Sequence, residues 1–229
     1  MSCSTMPDYS HPILNRDYPQ VLLEQQTESP APKKGERTKQ TLIWACAQLL
    51  NQIGYQELRV SDICETAQVS NAVFYLYFKN KEEITQVTLE AFSTQIYEAM
   101  AQNTAQGRDN RTALYTSNLA WLKIARLNAG LMRCILQVSL VMPSFADFYD
   151  SLNSSYIMRV AKNIAKRTCM PEAKAQMLVF SLSSMTDEFT RRLLSDVDSP
   201  LDLVIKQECP TDAELAEFLS DIWYQAIYS

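Results

Sequence analysis

The stretch VSNAVFYLYFKNK at residues 69–81 places two tyrosines and two phenylalanines within five residues, beside an asparagine, a serine and two lysines. Hydroxyls, amides and ammonium groups gathered this closely could form a surface for an anionic partner, with the phenylalanines holding it from behind. The competing reading is a piece of core that is rich in tyrosine. Charge bears on the choice. The chain carries a net −5, but residues 33–81 contain seven basic and four acidic side chains, whereas residues 1–32 contain one and four. A cationic block in an acidic chain confines any polyanion contact to that block, because the rest of the surface would repel one.

Other chemistries find little support. Six cysteines (Cys3, Cys46, Cys64, Cys134, Cys169, Cys209) lie apart with no C-x-x-C pair, and His11 is the one histidine. That argues against zinc and disulfide frameworks and leaves most of the thiols as small buried hydrophobes. No glycine-rich phosphate loop or paired catalytic carboxylates stand out, so neither an enzyme nor a cofactor is expected. No apolar run approaches the ~20 residues that span a bilayer, and the first residues lack the order of a signal peptide. A cytoplasmic protein away from membranes is expected.

The elements that must position the 69–81 stretch read as helices. In residues 37–53 the apolar positions Leu42, Cys46, Leu49, Leu50 and Ile53 mark one helical face, closed by Gly54. A second short helix covers 60–67, and a third starts at Ser70, a good N-cap, and runs to about Phe78. So tight a junction at Gln68-Val69 makes a helix-turn-helix. Val73, Phe74 and Phe78 serve as core anchors, which turns Ser70, Asn71, Ala72, Tyr75, Tyr77 and Lys79 outward. Asn80 followed by Glu83 opens a long helix to about residue 105, and further helices are expected near 111–126, 128–141, 144–167, 171–195 and 211–228, with a short one after Pro200. No segment alternates long enough for a sheet, so the chain reads as all-α. Prolines at 7, 12, 19, 30 and 32 make residues 1–36 an extended, disordered arm.

In this order, with VSDICETA at 60–67 ahead of VSNAVFYLYFKNKEEI at 69–84, residues 37–84 resemble the N-terminal DNA-binding domain of TetR-family transcriptional regulators. The resemblance implies an N-terminal helix-turn-helix domain at 37–84 and a larger helical ligand-binding and dimerisation domain at 85–229. It makes residues 70–77 the recognition helix. Tyr75 and Tyr77 would offer hydroxyls to phosphates, Lys81 would hold a phosphate, and Asn71, Ala72 and Val73 would face base edges, where Asn can pair with adenine and methyls can meet thymine. Three departures stand out. Gln68 occupies the turn position usually filled by glycine, Arg59 replaces the usual Ser or Thr cap and becomes a candidate phosphate contact, and Trp44 projects opposite the apolar face of its helix. Lys33, Lys34, Arg37 and Lys39 could extend the contact along the DNA backbone.

A single helix-turn-helix reads too little DNA for useful specificity, so a homodimer on a palindrome is expected. Its interface would come from Leu178, Leu182, Met185, Phe189 and Leu193 and from Leu215, Phe218, Leu219, Ile222 and Ala226. Aromatics and methionines in the middle helices, among them Tyr115, Trp121, Met132, Phe145, Tyr149, Tyr156 and Met185, suit a pocket for an apolar or aromatic small-molecule effector. Arg126 and Arg133 could meet an anionic group on it. The rival reading is a helical protein-interaction module that does not bind DNA; the steep salt dependence of DNA binding would tell them apart.

Overall fold

The computed structural model describes residues 11–28, 33–103, 109–195 and 199–229; these form helices and no strand. In chain order they are α1 (Tyr18–Glu28), α2 (Lys34–Glu57), α3 (Val60–Thr66), α4 (Asn71–Phe74), α5 (Lys81–Asn103), α6 (Asn110–Leu127), α7 (Ala129–Val141), α8 (Pro143–Thr168), α9 (Glu172–Leu193), α10 (Pro200–Glu208) and α11 (Asp212–Tyr228). The end of the long helix, expected near residue 105, lies outside the described residues.

Two compact units share these helices. The first takes Arg16–Ile96 and Leu127–Asp150, and the second takes Tyr97–Arg126, Ser151–Ser229 and residues 11–15. The boundary expected at residue 84 therefore falls inside the first unit, which also recruits α7 and the start of α8.

In the first unit α2 is the hub and packs against α1, α3 and α7. Its buried face is Leu42, Ala45, Cys46, Ala47 and Leu50. Gly54, at φ 79° and ψ 176°, breaks the regular helix in a backbone region open essentially to glycine alone. One turn earlier Asn51 accepts hydrogen bonds at its Oδ1 from the amides of Gly130 and Leu131, satisfying the start of α7. That contact demands glycine, because a Cβ on Gly130 would stand 2.0 Å from the Asn51 carbonyl oxygen.

The extended-arm reading needs correction where the chain is described. Pro12 opens a 3-10 turn, Pro12–Leu14, and Pro19 sits in the first turn of α1. At those positions a missing N–H costs no helical hydrogen bond, so the prolines start structure rather than prevent it. Ile13, Leu14, Tyr18 and Val21 are all buried. Tyr18 donates its amide to Asn128 Oδ1 at 2.7 Å and sets its ring 5.2 Å from that of Phe92. Along α1, Gln26 reaches the Gln40 carbonyl, one turn before Trp44, whose indole nitrogen is enclosed without a hydrogen-bond partner.

In the second unit α6, α8, α9, α10 and α11 contribute to two apolar clusters. One gathers Ile157, Ala161, Ile164, Val179, Leu182, Trp223 and Ile227; the other gathers Leu119, Leu122, Ile205, Leu215 and Leu219. Ser199 with Asp202 and Thr211 with Glu214 form reciprocal capping boxes that start α10 and α11. Asn80 caps α5 by accepting from the Glu83 amide, while the Glu83 carboxylate takes the Lys79 amide, one residue earlier than in the usual box. α8, expected from residue 144, begins at Pro143, and Ser144 donates to Gln86.

Candidate nucleic-acid interface and effector cavity

In the first unit α3 closes on Gln68, which holds φ 54°. The Val69 amide donates to the Cys64 carbonyl and the Gln68 amide to the Glu65 carbonyl, the paired bonds of a Schellman motif with a left-handed residue between them. The turn thus keeps the glycine-like conformation although the residue is glutamine. α4 then starts at its cap, with Ser70 Oγ accepting from the Val73 amide. Only Asn71–Phe74 is α-helical, shorter than the expected 70–77. Leu76 and Tyr77 turn back with tighter bonds to the carbonyls of Val73 and Phe74.

The two phenylalanines are the fixed side of this element. Phe74 and Phe78 are buried with ring centroids 5.9 Å apart, and Tyr75 meets Phe74 edge to face at 5.3 Å. Ser70, Asn71, Ala72, Tyr75 and Lys79 are exposed on the other side, as is Arg59, which starts α3 with no side-chain cap bond. Val73 is half-buried, consistent with an anchor that still shows part of a methyl. Leu76, 77% exposed, shares this surface, and nothing in the pattern of buried positions had marked it out.

Three expected phosphate contacts are less free than the spacing suggests. Tyr77 is half-buried, and a Cβ on Gly35 would come within 3.3 Å of its hydroxyl. Lys81 donates to the Tyr55 carbonyl at 3.2 Å with its ammonium 4.5 Å from the Tyr55 ring centre, so it braces α5 against the end of α2. Lys39 is half-buried on α2, whereas Lys33, Lys34 and Arg37 are exposed.

In the second unit a cavity of about 160 Å³ lies among α5, α6, α8, α9 and α11. Trp121 and Tyr156 line it as expected, joined by Tyr97, Trp223 and Tyr228. The other five expected residues do not. Phe145, fully buried against Phe148 and Tyr149, belongs with Tyr149 and Met132 to the first unit. Tyr115 and Met185 pack against the apolar cluster of Leu119 and Leu215. Helical spacing alone could not separate core aromatics from cavity aromatics, because both face inward.

Most polar groups in the cavity wall are already paired. The indole nitrogens of Trp121 and Trp223 donate to Thr190 and Thr186, Tyr97 donates to Asn153, and Asn118 donates to Ser220. Tyr156 hydrogen-bonds Ser117, and burial pushes its phenol above the usual range. Arg126 pairs with Asp212 outside the cavity, and Arg133 is in the other unit.

The proposed dimer stripes are largely the protomer's own core. Leu178, Leu182 and Ile222 pack into the cluster around Trp223, and Phe189 packs beside Leu119 and Leu215. Phe218 remains 46% exposed and meets Phe189 with the rings tilted, centroids 6.0 Å apart. The apolar side chains that α9 leaves uncovered are Met177 and Phe180, at 73% and 58% exposure, with Ser181 and Ser184 on the same side.

Residues 42–87 match the family described as bacterial regulatory proteins, tetR family. No curated protein matches the chain. Among solved structures, the fatty acid degradation regulator FadR from Bacillus halodurans is 15% identical and superposes with a TM-score of 0.62, over 86% of this chain and 96% of that one. GusR from Salmonella enterica is 14% identical with a TM-score of 0.65, over 88% and 100%. A tetR-family transcriptional regulator from Streptomyces coelicolor is 16% identical with a TM-score of 0.63, over 83% and 80%. At such identities the likeness is one of fold.

Proposed function

We propose that this chain, which matches the tetR family over residues 42–87 and shares the fold of such regulators, is a ligand-responsive repressor that grips a palindromic operator as a homodimer. The observation that carries this is the two-sided build of α4. Phe74 and Phe78 are sunk in the first unit, while Ser70, Asn71, Ala72 and Tyr75 stand clear for a major groove. Asn71 and Ala72 read bases, whereas Tyr75, Lys79 and Arg59 hold phosphates. Lys81 and Tyr77 position the α5 and α2 ends, with any phosphate contact secondary. The domain assignment follows as a reader built on the first unit and an effector and dimerisation region built on the second.

The switch runs through α5. This one helix begins at Lys81 beside the reading element and later supplies Tyr97 and Met100 to the cavity wall. An effector that favours one setting of α5 alters the spacing of two recognition elements, which must lie about one DNA turn, ~34 Å, apart. No catalysis, metal or cofactor enters this scheme, and its place of action is the cytoplasm, where the operator is. Among the described residues no single helix is long and apolar enough to cross a membrane.

Selection of bound sequences from a random duplex pool tests the reading. A palindrome with half-sites about one turn apart, bound less tightly as salt rises, is the expected result. A protein that retains no duplex at low salt would instead be an interaction module.

A further inference from the structure

Leu76 is an apolar side chain on a surface otherwise built for polar contacts, and its placement decides what it can meet; the inference rests on reading α4 as the element that enters the major groove. Leu76 is 77% exposed, more than Tyr75 beside it at 58%. A lone surface leucine is ordinary. This one is held in a fixed place. Its amide donates to the Val73 carbonyl at 3.2 Å, the Tyr77 amide donates to the Phe74 carbonyl at 2.9 Å, and the Phe78 amide reaches the same carbonyl at 3.0 Å. The backbone that carries Leu76 is thus fastened between two buried rings, Phe74 and Phe78.

The same bonds fix its direction. Phe74 and Phe78, four residues apart, are both buried in the first unit. Ala72 and Leu76 repeat that spacing two residues earlier, which places them ~200° away round a helix at ~100° per residue. They fall on the opposite side, and both are exposed. With the uncovered part of half-buried Val73 they form an apolar strip, flanked in the chain by the exposed residues Ser70, Asn71, Tyr75 and Lys79. Leu76 offers no donor and no charge, so it cannot hold a phosphate as Tyr75 and Lys79 can. The apolar group that base edges present in a major groove is the C5 methyl of thymine, which the other three bases lack. An outward leucine on a pinned backbone is complementary to that methyl, and the contact would remove apolar surface of both partners from water.

We infer that Leu76 is a specificity-determining residue that reads a thymine methyl in each operator half-site, adding a base position to those read by Asn71 and Ala72.

The test uses the full chain and the palindrome that it selects from a random duplex pool. Each thymine of one half-site is replaced in turn by deoxyuridine, which removes the methyl and keeps the base pairing. At one position this should weaken binding about three- to five-fold, the effect of one buried methyl. Leu76→Ala should bind the thymine duplex no better than that uridine duplex, so that the two changes together cost no more than either alone. Selection repeated with Leu76→Asn should move the preference at that same base pair away from thymine and leave the other positions as they were. Because Leu76 is exposed, neither variant should shift the melting temperature appreciably. The uridine scan on the unmodified protein needs no variant at all. A half-site with no preferred thymine, binding unaffected by every uridine replacement, a uridine loss that persists in full in Leu76→Ala, or a thymine preference untouched in Leu76→Asn would each overturn the inference. All four outcomes leave the palindrome and the repressor reading standing, whereas a chain that retains no duplex at low salt overturns both.

Discussion

At the scale of single residues, Tyr75 and Asn71 stand close together on α4 but are assigned different work. Tyr75 rests its ring edge against Phe74 and is 58% exposed, so its hydroxyl is the part that reaches outward. Tyr75→Phe keeps the ring contact and should weaken binding to all duplexes about equally with little change in folding. Asn71→Ala should relax preference at particular base positions, worth about 1–3 kcal/mol of discrimination at each. Binding curves on a matched and a scrambled duplex separate the two; uniform loss for both variants contradicts the assignment. Asp187 gives a second residue-level prediction. Its folded pKa, about 6, lies above its ordinary 3.8, so the fold favours the protonated form. Stability from this group is therefore present below about pH 4 and is lost as pH rises through about 6. Asp187→Asn should raise the melting temperature at pH 7, and the gap to the unmodified protein should close as pH falls toward 4. Asp187, on the cavity wall, is exposed, so solvent damps the size of the effect but leaves its sign.

At the scale of elements, Gln68 and Tyr18 show what the sequence disclosed and what it hid. The family resemblance set Gln68 where a glycine is usual, and the structure keeps the glycine-like backbone there, at φ 54°. Gln68→Gly should then stabilise the chain by about 1 kcal/mol in urea unfolding, because it removes the Cβ penalty at that conformation. A loss of stability would mean that the glutamine side chain contributes a contact of its own. Most later helices and their boundaries were legible from local signals: caps such as Ser70 and Thr211, and Pro200 at a first helical position, act through their immediate neighbours. α1 was not legible, because proline content argues against structure unless one knows that Pro12 and Pro19 open their helices. Its worth is testable. Tyr18 is fully buried on Phe92, so Tyr18→Ala should cost about 3–5 kcal/mol. Its hydroxyl finds no hydrogen-bond partner among the described residues, so Tyr18→Phe should be neutral or stabilising. A chain indifferent to Tyr18→Ala would restore the linker reading.

At the scale of the whole molecule, the cavity and the dimer surface were the parts that periodicity reads worst. Inward-facing residues share one spacing whether they meet a neighbouring helix, an empty space or a second chain. Thus Trp121 and Phe145 carried the same signal, yet one lines the cavity and the other fills a core. Leu182 likewise qualified as interface by spacing and is core by burial, at 6% exposure. What the protomer leaves over is more telling. Met177 and Phe180 project from α9 a turn apart, on the side of the small residues Ser181 and Ser184, which permit close helix approach. If two copies meet there, Phe180→Asp places a desolvated charge against its own image at the two-fold, the arrangement most damaging to an isologous contact. Because Phe180 is exposed in the protomer, the same change should leave the melting behaviour of a dilute monomer nearly unaltered. Sedimentation should show the dimer replaced by monomer, and operator affinity should fall to that of a single half-site. A Phe180→Asp protein that remains dimeric and binds its palindrome fully would move the interface to another face and release α9 from this role.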